Sequence, residues 1–477
     1  MVDNQAIASG GLLLDEAAVQ DFRASVRGEL LRPGDAGFDT ARRVWNGMVD
    51  KTPALILRCA GVSDVMTAVD FARTNNLVVA VRGGGHNVGG SAVCDRGLVI
   101  DLSRMKGVRV DPARRTARAE GGVTWGEFDR ETQAFGLAST GGTVSMTGIA
   151  GLTLGGGVGW LVRKHGLACD NLLSVDIVTA DGQFRTASAS ENEDLFWGVR
   201  GGGGNFGVVT SLEYRLHPVG TVLGGMVLYP QANARDVLQF YREFTRTAPD
   251  ELTAYCGFLT TPDGNPVVGV IACWSGSLET GEAVLRPLRE FGTPAADLIQ
   301  SMAYREMNML LDAAFPAGSQ NYWKADFLKE LSDEAIDVLV TQAGKMTSPL
   351  SAMVVEYYGG AASRVDQAAT AFPHRQAQYD LVIAAQWADP MESDRHIQWV
   401  RDTSEAAQPF ASGRVYVNVL GVEGDERVRK AYGANYDRLV SLKNTYDPTN
   451  FFQLNQNIKP TVRGDDSDEK MAVARGG

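Results

Sequence analysis

Six consecutive positions, Arg82-Gly83-Gly84-Gly85-His86-Asn87, set a guanidinium, three amides without side chains and an imidazole side by side. Glycine N–H groups reach an anion with no Cβ in the way, so the run suits a pyrophosphate, with His86 as a reactive group at its mouth. Two more clusters follow, Gly148-Ile-Ala-Gly151 through Gly155-Gly-Gly157 to Gly159, and Gly201-Gly-Gly-Gly-Asn-Phe-Gly207. Repeated clusters imply repeated close approach of backbone to a ligand. Gly202 to Gly207 spells G-x-G-x-x-G, but a predicted strand over 208–216 follows it where a Rossmann unit needs a helix. No G-x-x-x-x-G-K-[ST], H-E-x-x-H or G-x-S-x-G occurs, which argues against a P-loop, a zincin-type metal site and a serine hydrolase. His165, His217, His374 and His396 are scattered and read as surface or hydrogen-bonded residues, with no metal expected.

Positioning these loops takes strands and helices before and after them. The pattern predicts a helix over 16–30, a turn at Arg32-Pro-Gly-Asp35, a strand over 54–58, a helix over 62–75 with Ser63 as N-cap, and a strand over 77–81 entering the His86 loop. Strands over 97–102, 108–110 and 116–120, a helix over 125–135 and a strand from 173 into the Asp181-Gly182 turn continue it. Glycine thins out after Pro218, and strands (266–274, 352–358, 381–387) alternate with helices (234–246, 332–343). A helix over 431–443 leads through Asp447-Pro-Thr-Asn to Phe451-Phe-Gln-Leu-Asn-Gln-Asn-Ile-Lys-Pro460. The charged, Gly-rich tail is expected to be disordered.

The chain has 477 residues, enough for two or three domains. Its 54 glycines are about 11% of it, against a usual ~7%. The net charge of −12 argues against a nucleic-acid or anionic-membrane partner. Residues 135–162 are uncharged and long enough to span a bilayer, but nine glycines and six Ser/Thr read as loop and strand. Five cysteines without a C-x-x-C and no evident signal peptide point to a cytoplasmic protein.

The stretch from Gly34 to about Pro218, with the C-terminal 451–460 segment, resembles the FAD-linked oxidases of the berberine bridge enzyme type in the vanillyl-alcohol oxidase superfamily, and its bacterial members most. The resemblance implies an α+β fold: a two-part FAD-binding domain (PCMH type) over 1–220 and a substrate domain over 221–417, an antiparallel sheet flanked by helices. A segment over 418–462 returns to the flavin, and 463–477 is the tail. It implies FAD joined through the flavin 8α carbon to His86, with Arg82, Gly83, Gly84, Gly85 and Asn87 lining the pyrophosphate and Gly89, Ser103 and Gly122 also on the cofactor. Gly148, Gly151 and Gly157 would pass the isoalloxazine and ribityl chain, and Thr147 would face C4a. Ile177 and Val209 would hold the adenosine half, and Asn455 and Asn457 would return to the flavin. The cysteine that makes a second flavin link in many relatives is Val144 here, so a single link is expected, with Cys169 as packing.

The family's usual base is the second tyrosine of Tyr-x-Asn-Tyr. Here the segment is Tyr416-Val-Asn-Val419, which leaves Tyr416, Glu356 and Tyr358 as catalytic candidates; strand alternation sends Glu356 and Tyr358 to one face and Tyr357 to the other. Met353 and Val355 stand where nicotine-oxidising relatives carry charge, so that substrate is not assigned. The implied activity is hydride transfer from a small alcohol, sugar hydroxyl or amine, with O2 as acceptor. A dehydrogenase using another acceptor and a non-catalytic flavin binder are the alternatives. Oligomeric state stays open.

Overall fold

The computed structural model describes residues 6–8 and 12–461. The expected disordered tail, 463–477, lies outside the described residues. Most strands before Pro218 fall into two sheets. In the first, Glu29–Leu31, Leu55–Arg58, Leu98–Asp101 and Val79–Arg82 lie in that order, with the last three parallel. The second is antiparallel, in the order Phe184–Ser188, Leu172–Thr179, Gly207–Arg215, Thr116–Glu120, Val108–Asp111. Strands from Thr221–Pro230 to Tyr379–Trp387 form one eight-stranded antiparallel sheet. With helices interspersed throughout, the fold is α+β.

The large sheet alternates as its sequence predicts. Met353, Val355 and Tyr357 pack with Leu381 and Ile383 against helices Ala234–Arg246, Asp333–Ala343 and Ser393–Ala407. Val354 and Tyr358 face the other way, into the core shared with the N-terminal half. The cavity lined by Glu356 and Val382 lies on that second face.

Three local expectations need correction. The helix predicted over 16–30 stops at Ser25, and Glu29–Leu31 is a strand. The Asp64 carboxylate takes the amides of Arg27, Gly28 and Ala60, which draws this segment against Leu55–Arg58. A Cβ on Gly28 would sit 2.2 Å from the Arg58 carbonyl oxygen. The helix Val62–Thr74 has Gly61 as its N-cap, and Ser63 lies within its first turn. The helix predicted over 431–443 is two, Asp425–Tyr432 and Tyr436–Tyr446, broken at Gly433, whose φ of 48° leaves the helical region.

The second of these helices fixes the chain's return. Lys443, fully buried, donates to Asp447 at 2.6 Å and to the carbonyls of Asn205 and Phe452, both at 2.9 Å. Asp447 in turn accepts the amides of Phe451 and Phe452. Asn205 receives Ile458 N–H and donates to Gln456 O. Lys443 Nζ and both Asp447 carboxylate oxygens have partners, the condition under which such a buried pair holds a geometry.

Candidate functional site

A cavity of about 350 Å³ lies between the glycine loops, the large sheet and the returning C-terminal segment. Its loop wall contains Gly83, Gly84, Gly85, His86, Asn87, Thr147, Gly148, Gly151 and Val209. Its sheet wall is Trp323, Glu356 and Val382, and Tyr416, Val419 and Asn455 close the third side.

The glycines divide by what a side chain would meet. Cβ atoms on Gly84 and Gly148 would each fall 2.4 Å from the other residue's backbone nitrogen, so these two exist for each other: one loop crosses the other at backbone contact. Gly122 crosses under the Leu102 carbonyl, where a Cβ would lie at 1.8 Å, and Gly89 runs against Gly421. Gly151 and Gly204 line the cavity with nothing within 4 Å of the added atom. At these two open positions the backbone is bare toward the cavity.

Of the other cofactor candidates, Arg82 stands outside the lining: its guanidinium donates to Ala41 O and lies 4.0 Å from Asp101, beneath the loop. Ser103 also lies outside, its amide bound to Asp101 Oδ1. Ile177 pairs with Val209 in register and packs below Gly207. Asn455 donates to Gly204 O and Phe452 O, while its Oδ1 and that of Asn457 are buried without partners.

His86 stacks on Trp45, ring centroids 4.3 Å apart and planes 18° apart. Its Nε2 is buried and has no hydrogen-bond partner. Burial pushes its pKa down to about 4, so the ring is neutral at physiological pH and a nitrogen lone pair is available. Trp45 itself is held by Trp45 N to Gly85 O and Trp45 Nε1 to Phe315 O, both 3.0 Å. Asn46 beside it bridges Val88 O and Asn321, fastening the loop to the sheet's edge. Trp45 and Asn46 were not singled out in the sequence; no spacing marks them, because their partners lie about 40 and 270 residues away.

Tyr416 Oη accepts from Gly157 N at 2.9 Å and from Asn418 Nδ2 at 2.8 Å. Gly157 thus serves the tyrosine, from a left-handed φ of 89°. Burial keeps the phenol protonated far above neutrality. Glu356 and Tyr358 do share a face: Tyr358 Oη lies 3.0 Å from Glu356 Oε2. Glu356 lines the cavity; Tyr358 lies behind it. Burial pushes the Glu356 carboxyl up to about 7, against a lowering hydrogen bond from Tyr358. Val144 lines the cavity, whereas Cys169 is fully buried and its thiol is pushed far up by burial. That is inert packing.

Of the remaining histidines, His165 and His217 are half-buried and the other two buried. His374 and His396 are buried and hydrogen-bonded, to Ala431 O and Thr347 Oγ1. His165 and His217 stack at 3.8 Å, with His217 on Asn171 at 2.7 Å. Among the described residues no cluster of three metal-ligating side chains occurs, and no helix is long and apolar enough to cross a membrane.

Residues 53–188 match the family described as FAD binding domain, and 415–459 the one described as berberine and berberine like. An FAD-linked oxidoreductase of Dictyostelium discoideum is 34% identical over 447 residues, 93% of this chain and 97% of that one. The crystal structure of 6-hydroxy-D-nicotine oxidase from Arthrobacter nicotinovorans matches with a TM-score of 0.84 at 31% identity, covering 91% of this chain and 98% of that one. A xylooligosaccharide oxidase from Myceliophthora thermophila, at 21% identity and a TM-score of 0.83 over 93% of this chain and 99% of that one, shares the fold.

Proposed function

The chain belongs to the berberine-bridge-type FAD-linked oxidoreductases, and from that premise we propose that it oxidises a small alcohol or amine at a flavin tethered through His86, with O2 as final acceptor. The residues present fit FAD: two glycines with open Cβ directions, and unpartnered polar atoms on His86 and Asn455 around one cavity. The loop wall would hold the cofactor, and its flavin would supply a hydride acceptor.

The observation that carries the reading is that His86, on the loop wall, and Glu356, on the sheet wall, line one and the same cavity. Glu356, poised near neutrality, takes the proton from the substrate's oxygen or nitrogen, since a base works best with its pKa near the working pH. Tyr416, its oxygen already receiving two donors, turns its own proton toward a substrate lone pair and orients it. Val419 leaves apolar wall where the family's usual tyrosine would stand. No Lys or Arg is among the described residues lining the cavity. An anionic substrate would therefore face Glu356 without a counter-charge, which favours a neutral or cationic one, flat or apolar enough to lie on Trp323 and Val382.

Acid precipitation of the purified protein tests the tether. Yellow colour should pellet with the wild type and stay in the supernatant with His86→Ala, while Cys169→Ala pellets colour as the wild type does. Colour in the wild-type supernatant would refute the tether. Substrate-dependent bleaching with peroxide release supports an oxidase; bleaching without peroxide would mean a dehydrogenase.

A further inference from the structure

Behind Glu356 runs a chain of oxygens that proton removal alone does not require. Tyr358 Oη lies 3.0 Å from Glu356 Oε2 and 2.9 Å from Asp380 Oδ2. Strand pairing builds it: Glu356 and Asp380 are direct partners across the pair Ala352–Tyr357 and Tyr379–Trp387, and Tyr358, two residues beyond Glu356, returns to the same face. Asp380 is 0% exposed and its Oδ1 has no partner.

Counting protons constrains the trio. The tyrosine hydroxyl has one proton and donates to one carboxylate. Two ionised carboxylates would leave an oxygen–oxygen contact below 3.1 Å with no hydrogen between, and two like charges away from water. One carboxyl therefore carries a proton. Glu356 opens on the cavity whereas Asp380 is sealed, so charge costs less on Glu356. The groups facing them supply no counter-charge for a second carboxylate. Tyr255 comes from the strand Leu252–Thr260, Asp326 from Gln320–Leu328, and Tyr416 from the C-terminal segment. Asp326 is already paired with Arg427 at 2.9 Å. Arg163, which reaches the backbone of Tyr358, is engaged by the carbonyls of Tyr358, Leu252 and Ala248.

We propose that Glu356, Tyr358 and Asp380 form one acid–base unit of net charge −1, in which protonated Asp380 donates to Tyr358 and Tyr358 donates to Glu356. Asp380 is then a positioning residue: it fixes the direction of the chain, so that Glu356 is the ionised member facing the substrate. When Glu356 takes a proton, an O–H bond forms, the electron pair stays on the substrate and the unit becomes neutral. The catalytic part of this rests on Glu356 being the base; the proton count does not.

Infrared difference spectra of the holoprotein at neutral pH read a protonated carboxyl whether or not turnover occurs. Wild type minus Asp380→Asn should show its C=O stretch, and Asp129→Asn should remove a separate contribution from the other deeply buried, raised carboxyl. In Tyr358→Phe the Asp380 band should persist but move, since its acceptor is gone; this variant carries the test if Asp380→Asn fails to fold. No band lost in Asp380→Asn, or none moved in Tyr358→Phe, overturns the proposal. The pH profile of anaerobic flavin reduction gives a second reading. Asp380→Asn keeps a donor toward Tyr358 and should leave the acidic limb in place. Tyr358→Phe should move that limb upward by about one pH unit, a tenfold loss of rate along it; a limb that stays put overturns the chain's direction. Full activity in Glu356→Gln would instead refute the base assignment, with the infrared band still reporting the shared proton.

Discussion

The two walls of the cavity are made of different material. The loop wall is backbone: Gly84 on Gly148, Gly121 beneath Gly83, and Gly151 and Gly204 bare toward the space. The sheet wall is side chains: Trp323, Glu356 and Val382 on strands set by pairing partners up to 101 residues away. A backbone wall tolerates almost no substitution where it crosses itself, and it can recognise what many relatives share. A side-chain wall can change residue by residue without disturbing the strands, and here it carries the ionisable group that would select and deprotonate a substrate. On the proposed function, cofactor recognition and substrate choice would be separated by the chemistry of the two surfaces.

Substitutions on each wall should fail in different ways. The largest effect is expected from Glu356→Gln, a roughly 10²–10⁴-fold loss in the rate of flavin reduction with flavin content unchanged; stopped-flow reduction under anaerobic conditions measures it. Next comes the anchor of the returning C-terminal segment. Lys443→Ala leaves Asp447 buried and uncompensated and should cost about 3–5 kcal/mol, read by denaturant unfolding. Gly148→Ala drives a Cβ into the Gly84 backbone and should cost about 1–3 kcal/mol and lower flavin content. Gly151→Ala is its control: with nothing within 4 Å, stability should stay within about 0.5 kcal/mol while flavin loading falls. Equal destabilisation by the two alanines would erase the distinction between glycines that serve the fold and glycines that serve the ligand.

Acidity sharpens the same contrast. Glu356, raised to about 7 by burial, should make flavin reduction rise with pH through about 7. Its folded value exceeds the ordinary 4.5, so its contribution to stability runs the other way, greatest below 4.5 and lost as pH climbs toward 7. On the loop side, His165 and His217 are pushed down to about 3 and about 4 by burial, with the facing His217 ring adding to the effect on His165. The unfolded chain takes up those protons first, so stability is full above about 6.5 and falls as pH drops toward 4. A melting series across pH 4–8 separates the two trends.

The glycine clusters and His86 were legible because glycine is the residue that permits backbone contact, and its excess shows in the letters themselves. What the letters did not show was which glycine meets a ligand and which meets another loop; Gly84 and Gly148 sit 64 positions apart. Arg82 reads as a phosphate ligand by adjacency, yet its side chain runs under the loop to Ala41 and Asp101. Strand alternation correctly paired Glu356 with Tyr358, since a period of two is local. Asp380 was invisible, because what makes it matter is a register between strands with 24 residues separating it from Glu356. Trp45 behind His86 escaped for the same reason.

The sequence by itself determined the residue types at the cofactor loops, the alternation of the sheet, the family and the missing tyrosine at Val419, all properties carried by neighbouring positions. Only the tertiary structure decided which two carboxyls flank the buried Tyr358 hydroxyl, which histidine nitrogens are left without a partner and what holds the C-terminal return in place. Those depend on burial and on contacts between distant segments, and the cost of an unpaired charge or hydrogen bond exists only once the chain has excluded water.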